Sequence, residues 1–474
     1  MNLLIKNIDI LPSSGAPVIY GADIGVENGK ILFISGDGTL QGSTGSTQQG
    51  GPGVTQQGGT GGSTQQGGAQ FNGAPPGAAT INGAPQGFRP DRVISGEGRL
   101  AIPGLVNAHC HTAMTLLRGY ADDMDLETWL FEKIFPAEAK LTGEDIYWGT
   151  MLGVAEMLRG GVTCVNDMYL KMDNVASAFV DSGIRAMVSI GPLLTEKRGG
   201  ALVDIEGCSA FFKRWDGASG GRLGVNIEIH SIYLYQPETL MEGAHLAKEL
   251  GAAIHIHILE TATERTNMLK QYGESSVALA AKYGIFDVPA LAAHCVHVDD
   301  NEITILRDKG VSVAHNPSSN LKLASGVAPV QKMLGQGVNV CLGTDGASSN
   351  NNLDMFMETR QAALIHKGVH RMPMAVTAAE AFKMATQNGA QALGVRGAGA
   401  IEAGAKADIA IISLDSPHLQ PVHNHLSTLV YSARASDVET VIVDGQVLME
   451  KRVLTTIDEE KAIYMAAQTA KGLY

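Results

Sequence analysis

Histidine and carboxylate side chains recur in this sequence at spacings that suit a metal site. The segment NAHCH places His109 and His111 two residues apart, so on a β-strand both imidazoles point to the same side. HIHILE supplies His257, AAHCVH supplies His294 and GTDG supplies Asp345. Three imidazoles with one carboxylate suit a borderline divalent cation such as Zn²⁺ and leave one coordination position for water. Each residue alone is weak evidence, whereas the combination predicts a metal centre.

An acidic residue, Glu260, follows His257 by three positions and has the chemistry to move protons at such a centre. Its segment, LETATER, also resembles the start of a helix, where a solvated carboxylate is favoured. Both interpretations of Glu260 stay open at this point. A further group of histidines is predicted to have structural roles only: His245, His366, His370, His418, His423 and His425.

The residues with chemistry must be positioned by a fold in which strands and helices alternate. Helical patterns such as Asp145–Arg159, Pro237–Leu250 and Glu274–Tyr283 separate the apolar runs of the middle of the chain. Eight strand–helix units over about 250 residues predict a TIM-type (β/α)8 barrel, whose chemistry lies at the carboxyl ends of the strands. The eight β-like runs are Leu100–His111, Val162–Tyr169, Ile184–Leu193, Leu223–His230, Ala252–Ile258, Ala290–Val296, Val311–Pro317 and Val338–Gly346.

Both ends of the chain show β-patterns without intervening helices. Before residue 100 the apolar or alternating runs are Leu3–Leu11, Ile24–Ser35 and Asp91–Ile94. Near the other end they are Asp408–Ser413 and Glu439–Leu448, and the second contains an Asp-Gly hairpin turn. We therefore expect the two ends to share one small β-sandwich domain.

The predicted domains are a β-sandwich built from residues 1–99 and 398–474, the latter with a terminal helix, and a metal-dependent barrel of residues 100–397. Residues 36–88 stand apart, because Gly, Gln, Ser, Thr, Ala, Asn and Pro dominate them and TQQGG occurs three times. Such a segment cannot bury enough apolar surface to offset the entropy of ordering it. A disordered surface insertion is predicted, and a tether for a partner or for self-association is the alternative.

Composition excludes several classes of function. The 474 residues contain 35 Lys and Arg against 48 Asp and Glu, a net charge of −13 that argues against nucleic-acid binding. No apolar run reaches the length of a membrane span, and the N-terminus lacks the pattern of a signal peptide. The five cysteines form no CxxC pair, which favours reduced thiols and a cytoplasmic location.

Five segments resemble the amidohydrolase superfamily, and within it the 5′-methylthioadenosine/S-adenosylhomocysteine deaminases, which include 5′-deoxyadenosine deaminases. The likeness covers nearly the whole chain outside residues 36–88. The segments are PGLVNAHCHTAMTLLRGYADDMDLETWLFEKIFPAEAKLT (Pro103–Thr142), HIHILET (His255–Thr261), LAAHCVH (Leu291–His297), AHNPSSNLKLASGVAPVQKML (Ala314–Leu334) and LGTDGASSNNN (Leu342–Asn352).

The resemblance implies a role for each residue of the centre. Glu260 would be the proton shuttle to a ring nitrogen of the purine, and His294 would stand beside the attacking water. A bound Zn²⁺ lowers the pKa of its water to about 7, and Asp345 would accept the water proton. The implied metal ligands are His109, His111, His257 and Asp345.

For the substrate, the resemblance implies that Glu138 accepts hydrogen bonds from the ribose hydroxyls and that His230 and Ser349 contact the nucleoside. Glu260 and Asp345 would also touch it. The family usually reads Pro-His-Ser-Pro around His230, whereas this chain reads IHSIY. Relatives that take S-adenosylhomocysteine place an arginine after the third strand, where this chain has Ile190 on the strand itself. The basic residues Lys197 and Arg198 come several positions later and are read either as solvated loop charges or as substrate contacts.

The predicted function is hydrolytic deamination of 5′-deoxyadenosine, 5′-methylthioadenosine or S-adenosylhomocysteine to the inosine derivative and ammonia. Another hydrolase on the same metal frame, acting on guanine, cytosine or triazines, is the alternative, and a non-catalytic scaffold is a third. One Zn²⁺ per subunit is expected, with another divalent transition metal as the alternative. Binuclear relatives bridge two metals through a lysine on the fourth strand, which LGVNIEIH lacks, and the PCxxC signature of other zinc deaminases is missing too. By analogy the protein is expected to be a dimer or a tetramer.

Overall fold

The computed structural model describes residues 1–36, 83–191 and 204–473. Most of the low-complexity segment, together with Lys197 and Arg198, lies outside the described residues. The strands, in chain order, are β1 (Leu3–Ile10), β2 (Ile19–Glu27), β3 (Lys30–Ser35), β4 (Arg92–Ser95), β5 (Arg99–Pro103), β6 (Leu105–Cys110), β7 (Val162–Met168), β8 (Arg185–Ile190), β9 (Leu223–Ser231), β10 (Ile254–Ile258), β11 (Ala290–His294), β12 (Ser312–His315), β13 (Val340–Leu342), β14 (Ile409–Ser413), β15 (Val438–Val443), β16 (Gln446–Glu450) and β17 (Val453–Leu454).

Eight of these strands form the predicted barrel. Strands β6 to β13 pair in chain order, and each runs parallel to the next. Their apolar side chains are buried, as expected when helices cover the outside of a parallel barrel and side chains fill its interior. The (β/α)8 class expected from the eight apolar runs is confirmed.

The barrel closes where β13 meets β6, and this contact involves residues of the predicted metal site. The Asp345 backbone N–H donates to the His109 carbonyl at 3.0 Å. The Asn107 side chain binds the backbone N–H of Thr344 at 3.0 Å and its hydroxyl at 2.7 Å. Gly343 lets the strands approach, since a Cβ there would lie 2.8 Å from the His109 Cβ. Closure therefore places Asp345 beside His109.

Helices connect the barrel strands and pack on their outer face. The predicted helix Pro237–Leu250 is found with the same bounds, and Thr142 begins the helix that contains Asp145–Arg159 with a reciprocal cap. Within the described residues, no helix combines the length and apolar character needed to span a membrane. The helices are α1 (Leu126–Thr128), α2 (Phe135–Glu138), α3 (Gly143–Arg159), α4 (Met172–Ser182), α5 (Ile205–Trp215), α6 (Ala218–Gly221), α7 (Pro237–Leu250), α8 (Ala262–Tyr272), α9 (Ser276–Lys282), α10 (Asp300–Asp308), α11 (Pro317–Lys322), α12 (Val330–Gly335), α13 (Met355–His370), α14 (Ala378–Ala385), α15 (Gln387–Ala392), α16 (His425–Tyr431) and α17 (Glu459–Lys471).

The remaining strands form a second sheet from the two chain ends. Its order is β17-β16-β15-β14-β5-β1-β2-β3, with β4 paired to β1. Residues from both halves of this sheet, such as Ile5, Ile24 and Ile442, belong to one hydrophobic cluster. The two ends thus share a β-structure, as expected, and it is one continuous nine-stranded sheet. The predicted hairpin turn lies at Asp444 and Gly445, which both have positive φ.

The first apolar run, Leu100–His111, divides between the two sheets. Its beginning forms β5, which pairs with β1 and β14, and its remainder forms the first barrel strand β6. The change of sheet occurs at Gly104, where a Cβ would lie 2.0 Å from the Thr163 hydroxyl oxygen. Arg185 on β8 also joins the two parts, since its buried guanidinium binds Asp408 at 2.8 Å.

Candidate metal centre and adjoining pocket

The predicted centre forms at the carboxyl end of the barrel. His109 lies on β6 and His111 directly follows it, His257 lies on β10, His294 ends β11, and Asp345 follows β13. All five side chains are buried. Residues separated by more than two hundred positions in sequence therefore meet at one place, as the barrel rule predicts for functional groups.

The distances suit a single small cation. Asp345 Oδ1 lies 3.3 Å from His109 Nε2 and 3.2 Å from His111 Nε2. His257 Nε2 lies 3.3 Å from His111 Nε2. One ring nitrogen from each of His109, His111 and His257 lies within 4.8 Å of the other two. The same distance limit holds for a ring nitrogen of His109, a ring nitrogen of His294 and a carboxylate oxygen of Asp345. His109 Nε2 is buried without a hydrogen-bond partner, which fits a nitrogen lone pair directed at a metal ion.

Two of the rings are held in the tautomer that a metal requires. His111 Nδ1 lies 2.5 Å from the Met168 carbonyl, and His257 Nδ1 lies 2.6 Å from the His230 carbonyl. A carbonyl oxygen can only accept, so each Nδ1 carries a hydrogen and each Nε2 is the nitrogen that faces the centre. Burial lowers the pKa of His111, but Asp345 outweighs burial and raises this pKa to about 9, so a metal ion bound here would displace a proton from His111 Nε2. Burial, together with His230 and other nearby imidazoles, holds the pKa of His257 well below its usual range and keeps this ligand neutral.

His109 is oriented differently, by another imidazole. Its Nδ1 lies 2.8 Å from His255 Nε2, and His255 Nδ1 lies 2.9 Å from the Ser189 hydroxyl and 3.1 Å from the Asn166 amide nitrogen. Sequence reasoning gave His255 no role. Its position two residues before His257 is the signal that could have found it, because alternate residues of β10 point to the same side.

The carboxylate of Asp345 is fixed at both oxygens. While Oδ1 faces His109 and His111, Oδ2 accepts hydrogen bonds from Ser319 at 2.6 Å and from Ser349 at 2.9 Å. Burial opposes its charge, but the two histidines outweigh burial and hold the pKa of Asp345 well below its usual range. Asp345 has a φ of 61°, and such strain persists only where the surrounding contacts determine the backbone.

Glu260 is positioned by a second acidic residue that sequence reasoning missed. Glu264 on α8 accepts the backbone N–H groups of Leu259 at 2.9 Å and Glu260 at 3.2 Å, and it accepts the Ser276 hydroxyl at 2.6 Å. The turn after β10 is thereby held so that Glu260 is buried against the centre, 3.7 Å from His294 Nε2. Burial raises the pKa of Glu260, so its carboxyl can hold a proton.

His294 is held by α11, the short helix that follows β12. Its Nδ1 lies 2.8 Å from Asn320 Oδ1, which can only accept, so His294 donates and its Nε2 faces Glu260. The residue has a φ of 73°. Asn320 and Ser319 both belong to the segment AHNPSSNLKL, which carried the family resemblance without an assigned role.

The centre lies at the inner end of a cavity of about 540 Å³. Glu138, which ends α2, and His230 on β9 both line this cavity, as predicted for substrate contacts. Burial raises the pKa of Glu138 to about 7. Ser349 is not among the lining residues and instead binds the far side of Asp345. The six histidines predicted to be structural lie outside both the cluster and the cavity lining.

A metal-content measurement tests the cluster. We expect purified protein to hold about one divalent ion per chain, and His257→Ala to lower metal content at least about tenfold, because a ligand contributes directly to the affinity. His245→Ala is the matched control, since that ring is exposed on α7. Elemental analysis after dialysis would count against the cluster if both variants retained the same metal.

Comparison with known proteins agrees with this geometry. Residues 100–448 match the model of the amidohydrolase family. A 5-methylthioadenosine/S-adenosylhomocysteine deaminase of Acetivibrio thermocellus is 46% identical over 473 residues, covering 99% of each chain. One of Dictyoglomus thermophilum is 51% identical over 382 residues, covering 81% of this chain and 89% of its own.

Solved structures give the same result. The crystal structure of an adenosine deaminase from Xanthomonas campestris with bound zinc matches with a TM-score of 0.85 and 31% identity, covering 99% of this chain and 98% of that one. Atrazine chlorohydrolase from Arthrobacter aurescens, at 23% identity, shares the fold with a TM-score of 0.81 and 99% and 100% coverage. The resemblance seen in the sequence is confirmed, and the chain belongs to the amidohydrolase family.

Proposed function

We propose that this protein is a zinc-dependent hydrolytic deaminase that converts adenosine-type nucleosides to the inosine derivatives and ammonia. The observation that carries the proposal is one cavity that is lined at once by His111, His257, Glu260, His294, Asp345 and the buried carboxyl of Glu138. Such a cavity provides a hydrolytic centre and a group for a sugar in the same enclosed space.

The residues that would hold the metal are His109, His111, His257 and Asp345. When bound, a divalent cation supplies Lewis-acid activation of water at neutral pH. Three neutral imidazoles with one carboxylate favour zinc among the common metals. The described strand β9 contains no lysine that could bridge a second ion, which favours one metal per subunit.

Glu260 is the proton shuttle in this proposal. Burial raises its pKa, so the carboxyl can bring a proton to a ring nitrogen of the purine and make the carbon that bears the amino group electrophilic. Asp345, held as an anion, accepts a proton from the attacking water. Glu260, now an anion, takes the second proton of the water from the hydroxyl of the tetrahedral intermediate as the carbonyl forms, and passes it to the leaving amino group, which departs as ammonia. The proton held by Asp345 then returns to Glu260 in place of the one left on the ring nitrogen. His294, whose Nδ1–H is fixed by Asn320, turns its Nε2 lone pair toward the centre, where it accepts a hydrogen bond from the attacking water.

Glu138 and His230 would bind the sugar. A buried carboxyl oxygen without a partner accepts hydrogen bonds from vicinal hydroxyls well, and Glu138 Oε1 has no hydrogen-bond partner among the described residues. The His230 ring lies 4.7 Å from the His257 ring and lines the cavity. The two groups would orient the nucleoside so that its base reaches the centre.

The names of the relatives support nucleoside deamination. Curated relatives at 42% to 51% identity are named 5-methylthioadenosine/S-adenosylhomocysteine deaminases. A guanine deaminase shares the fold at 20% identity with a TM-score of 0.75, so the frame alone does not choose the substrate. Glu138 favours a nucleoside, because a free base offers no sugar hydroxyls to it.

Compartment and assembly belong to the same proposal. All five cysteines are buried free thiols, which supports a reducing cytoplasm. The dimer or tetramer expected from the resemblance stays a prediction.

An ammonia-release assay tests the function. We expect the protein to release ammonia from 5′-deoxyadenosine, 5′-methylthioadenosine, S-adenosylhomocysteine or adenosine, and to lose this activity after chelation and regain it with zinc. Glu260→Gln should lower kcat at least about a hundredfold, the usual scale of a general acid–base residue. Release from guanine or a triazine but from none of the nucleosides would overturn the proposal in favour of another amidohydrolase reaction.

The role of Glu138 gives a separate prediction. Glu138→Ala should raise KM for nucleosides about 10- to 100-fold, since hydrogen bonds to a charged group contribute about 1.5–3 kcal/mol. Glu132→Ala removes an exposed carboxylate from the same segment and should leave KM unchanged. Steady-state kinetics on one nucleoside decide the matter, and equal KM values for both variants would contradict sugar binding by Glu138.

A further inference from the structure

We propose that Glu358 is a positioning residue of the centre: from helix α13 it fixes the two segments that hold Asp345 and His294, so that its loss weakens metal binding and slows the reaction without weakening nucleoside binding. This inference rests on the proposed function and goes beyond it, since Glu358 lies outside the cavity lining. Neither the sequence motifs nor the proposed mechanism uses this residue.

Two segments of the chain meet at the carboxylate of Asp345. Ser319 on α11 and Ser349, which follows β13, each donate a hydroxyl hydrogen bond to Asp345 Oδ2, at 2.6 and 2.9 Å. The residue after Ser319 is Asn320, whose amide oxygen accepts the Nδ1 hydrogen of His294. The orientation of both Asp345 and His294 therefore depends on where these two segments lie.

Glu358 binds the chain neighbour of each hydroxyl donor. Its Oε2 accepts the backbone N–H of Ser318 at 3.1 Å, and its Oε1 accepts the Ser318 hydroxyl. The same Oε1 accepts the side-chain amide of Asn350 at 2.9 Å. Ser318 adjoins Ser319 in the first segment, and Asn350 follows directly on the hydroxyl donor of the second. One carboxylate thus joins both segments, one residue away from the groups that bind the centre.

Asn350 also connects Glu358 to the backbone of the centre. Its side-chain amide donates one hydrogen to Glu358 and the other to the Thr344 carbonyl, at 2.7 Å. That carbonyl belongs to the peptide bond that leads into Asp345, whose φ of 61° must be held by its surroundings. Glu358 therefore restrains Asp345 at its backbone as well as at its carboxylate.

A carboxylate is costly at this position. Glu358 is fully buried, and the donors that it binds on Ser318 and Asn350 are uncharged. Burial raises the pKa of Glu358 to about 7, against the effect of these hydrogen bonds. A buried carboxylate is tolerated when hydrogen bonds compensate its desolvation, and an apolar side chain of similar volume often stabilises a core at least as well. The link between the two segments, rather than core stability, accounts for a carboxylate here.

A chelator competition in the absence of nucleoside tests the effect on the centre. We expect Glu358→Gln to lower zinc affinity at least about tenfold, the usual scale for groups that orient metal ligands. The amide keeps the size of the side chain but turns a donor toward a donor, the Ser318 N–H or the Asn350 amide. Asp437→Asn is the matched control, because Asp437 is also buried and accepts the Arg434 N–H at 2.8 Å just before β15. That control should leave zinc affinity unchanged.

Steady-state kinetics at saturating zinc separate positioning from nucleoside binding. Glu358→Gln should lower kcat for deamination at least about tenfold and leave KM within about twofold of its original value. KM should change little because the hydrogen bonds of Glu358 reach neither Glu138 nor His230. A raised KM with an unchanged kcat would contradict the assignment.

A double-variant comparison tests the route of the effect. In a Ser319→Ala/Ser349→Ala background, Glu358→Gln should lower zinc affinity by a smaller factor than in the unchanged protein, because effects within one hydrogen-bond network are not additive. The same factor in both backgrounds would show that Glu358 does not act through these hydroxyls, and the inference would be wrong.

A second variant covers the case in which Glu358→Gln does not fold. Asn350→Ala breaks one of the two links and leaves the carboxylate in contact with Ser318. It should lower zinc affinity and kcat in the same direction, and unchanged values of both would overturn the inference.

The outcomes are distinguishable. If Glu358→Gln lowers the thermal unfolding temperature but neither zinc affinity nor kcat, Glu358 is structural only and the inference is wrong. If zinc affinity falls as expected but the unchanged protein deaminates no nucleoside, the proposed function fails while the effect on the centre remains. If the unchanged protein binds no zinc, both fail.

Discussion

The contact that closes the barrel is the constraint on which the rest of the site depends. The backbone hydrogen bond from Asp345 to the His109 carbonyl joins the last barrel strand to the first, and Gly343 permits the close approach. The same contact brings the only carboxylate of the cluster to the imidazoles of β6. Fold and the proposed chemistry are therefore coupled here, since a barrel that failed to close would also lack the complete set of proposed metal ligands.

Around this contact, the side chains of the centre are oriented by oxygen atoms that can accept a hydrogen bond but cannot donate one. Backbone carbonyls hold His111 and His257, the amide oxygen of Asn320 holds His294, and the carboxylate of Glu264 holds the turn that carries Glu260. These outer groups keep the side chains proposed to act in catalysis directed at the centre. Preorganisation of this kind is the largest contribution that a protein scaffold makes to polar catalysis.

Sequence patterns predicted the strands and the cluster because both depend on periodicity. Buried parallel strands read as apolar runs, and ligands at their ends stand at fixed offsets, as with His109 and His111. The partner of His255 escaped prediction because it lies on another strand: the spacing to His257 marks the side to which His255 points, but not its contact with His109 across 146 positions. The split of Leu100–His111 at Gly104 was hidden for a similar reason, since two buried strands in different sheets look alike in sequence.

The most direct test of the account is the X-ray absorption spectrum of the purified protein at the K edge of its metal. We expect zinc with three imidazole nitrogens at about 2.0–2.1 Å and oxygen ligands completing the set. In any His257→Ala protein that still holds metal, we expect one imidazole contribution to be lost. A shell containing thiolate sulfur, or a spectrum that His257→Ala leaves unchanged, would contradict the claim that these four side chains surround one ion.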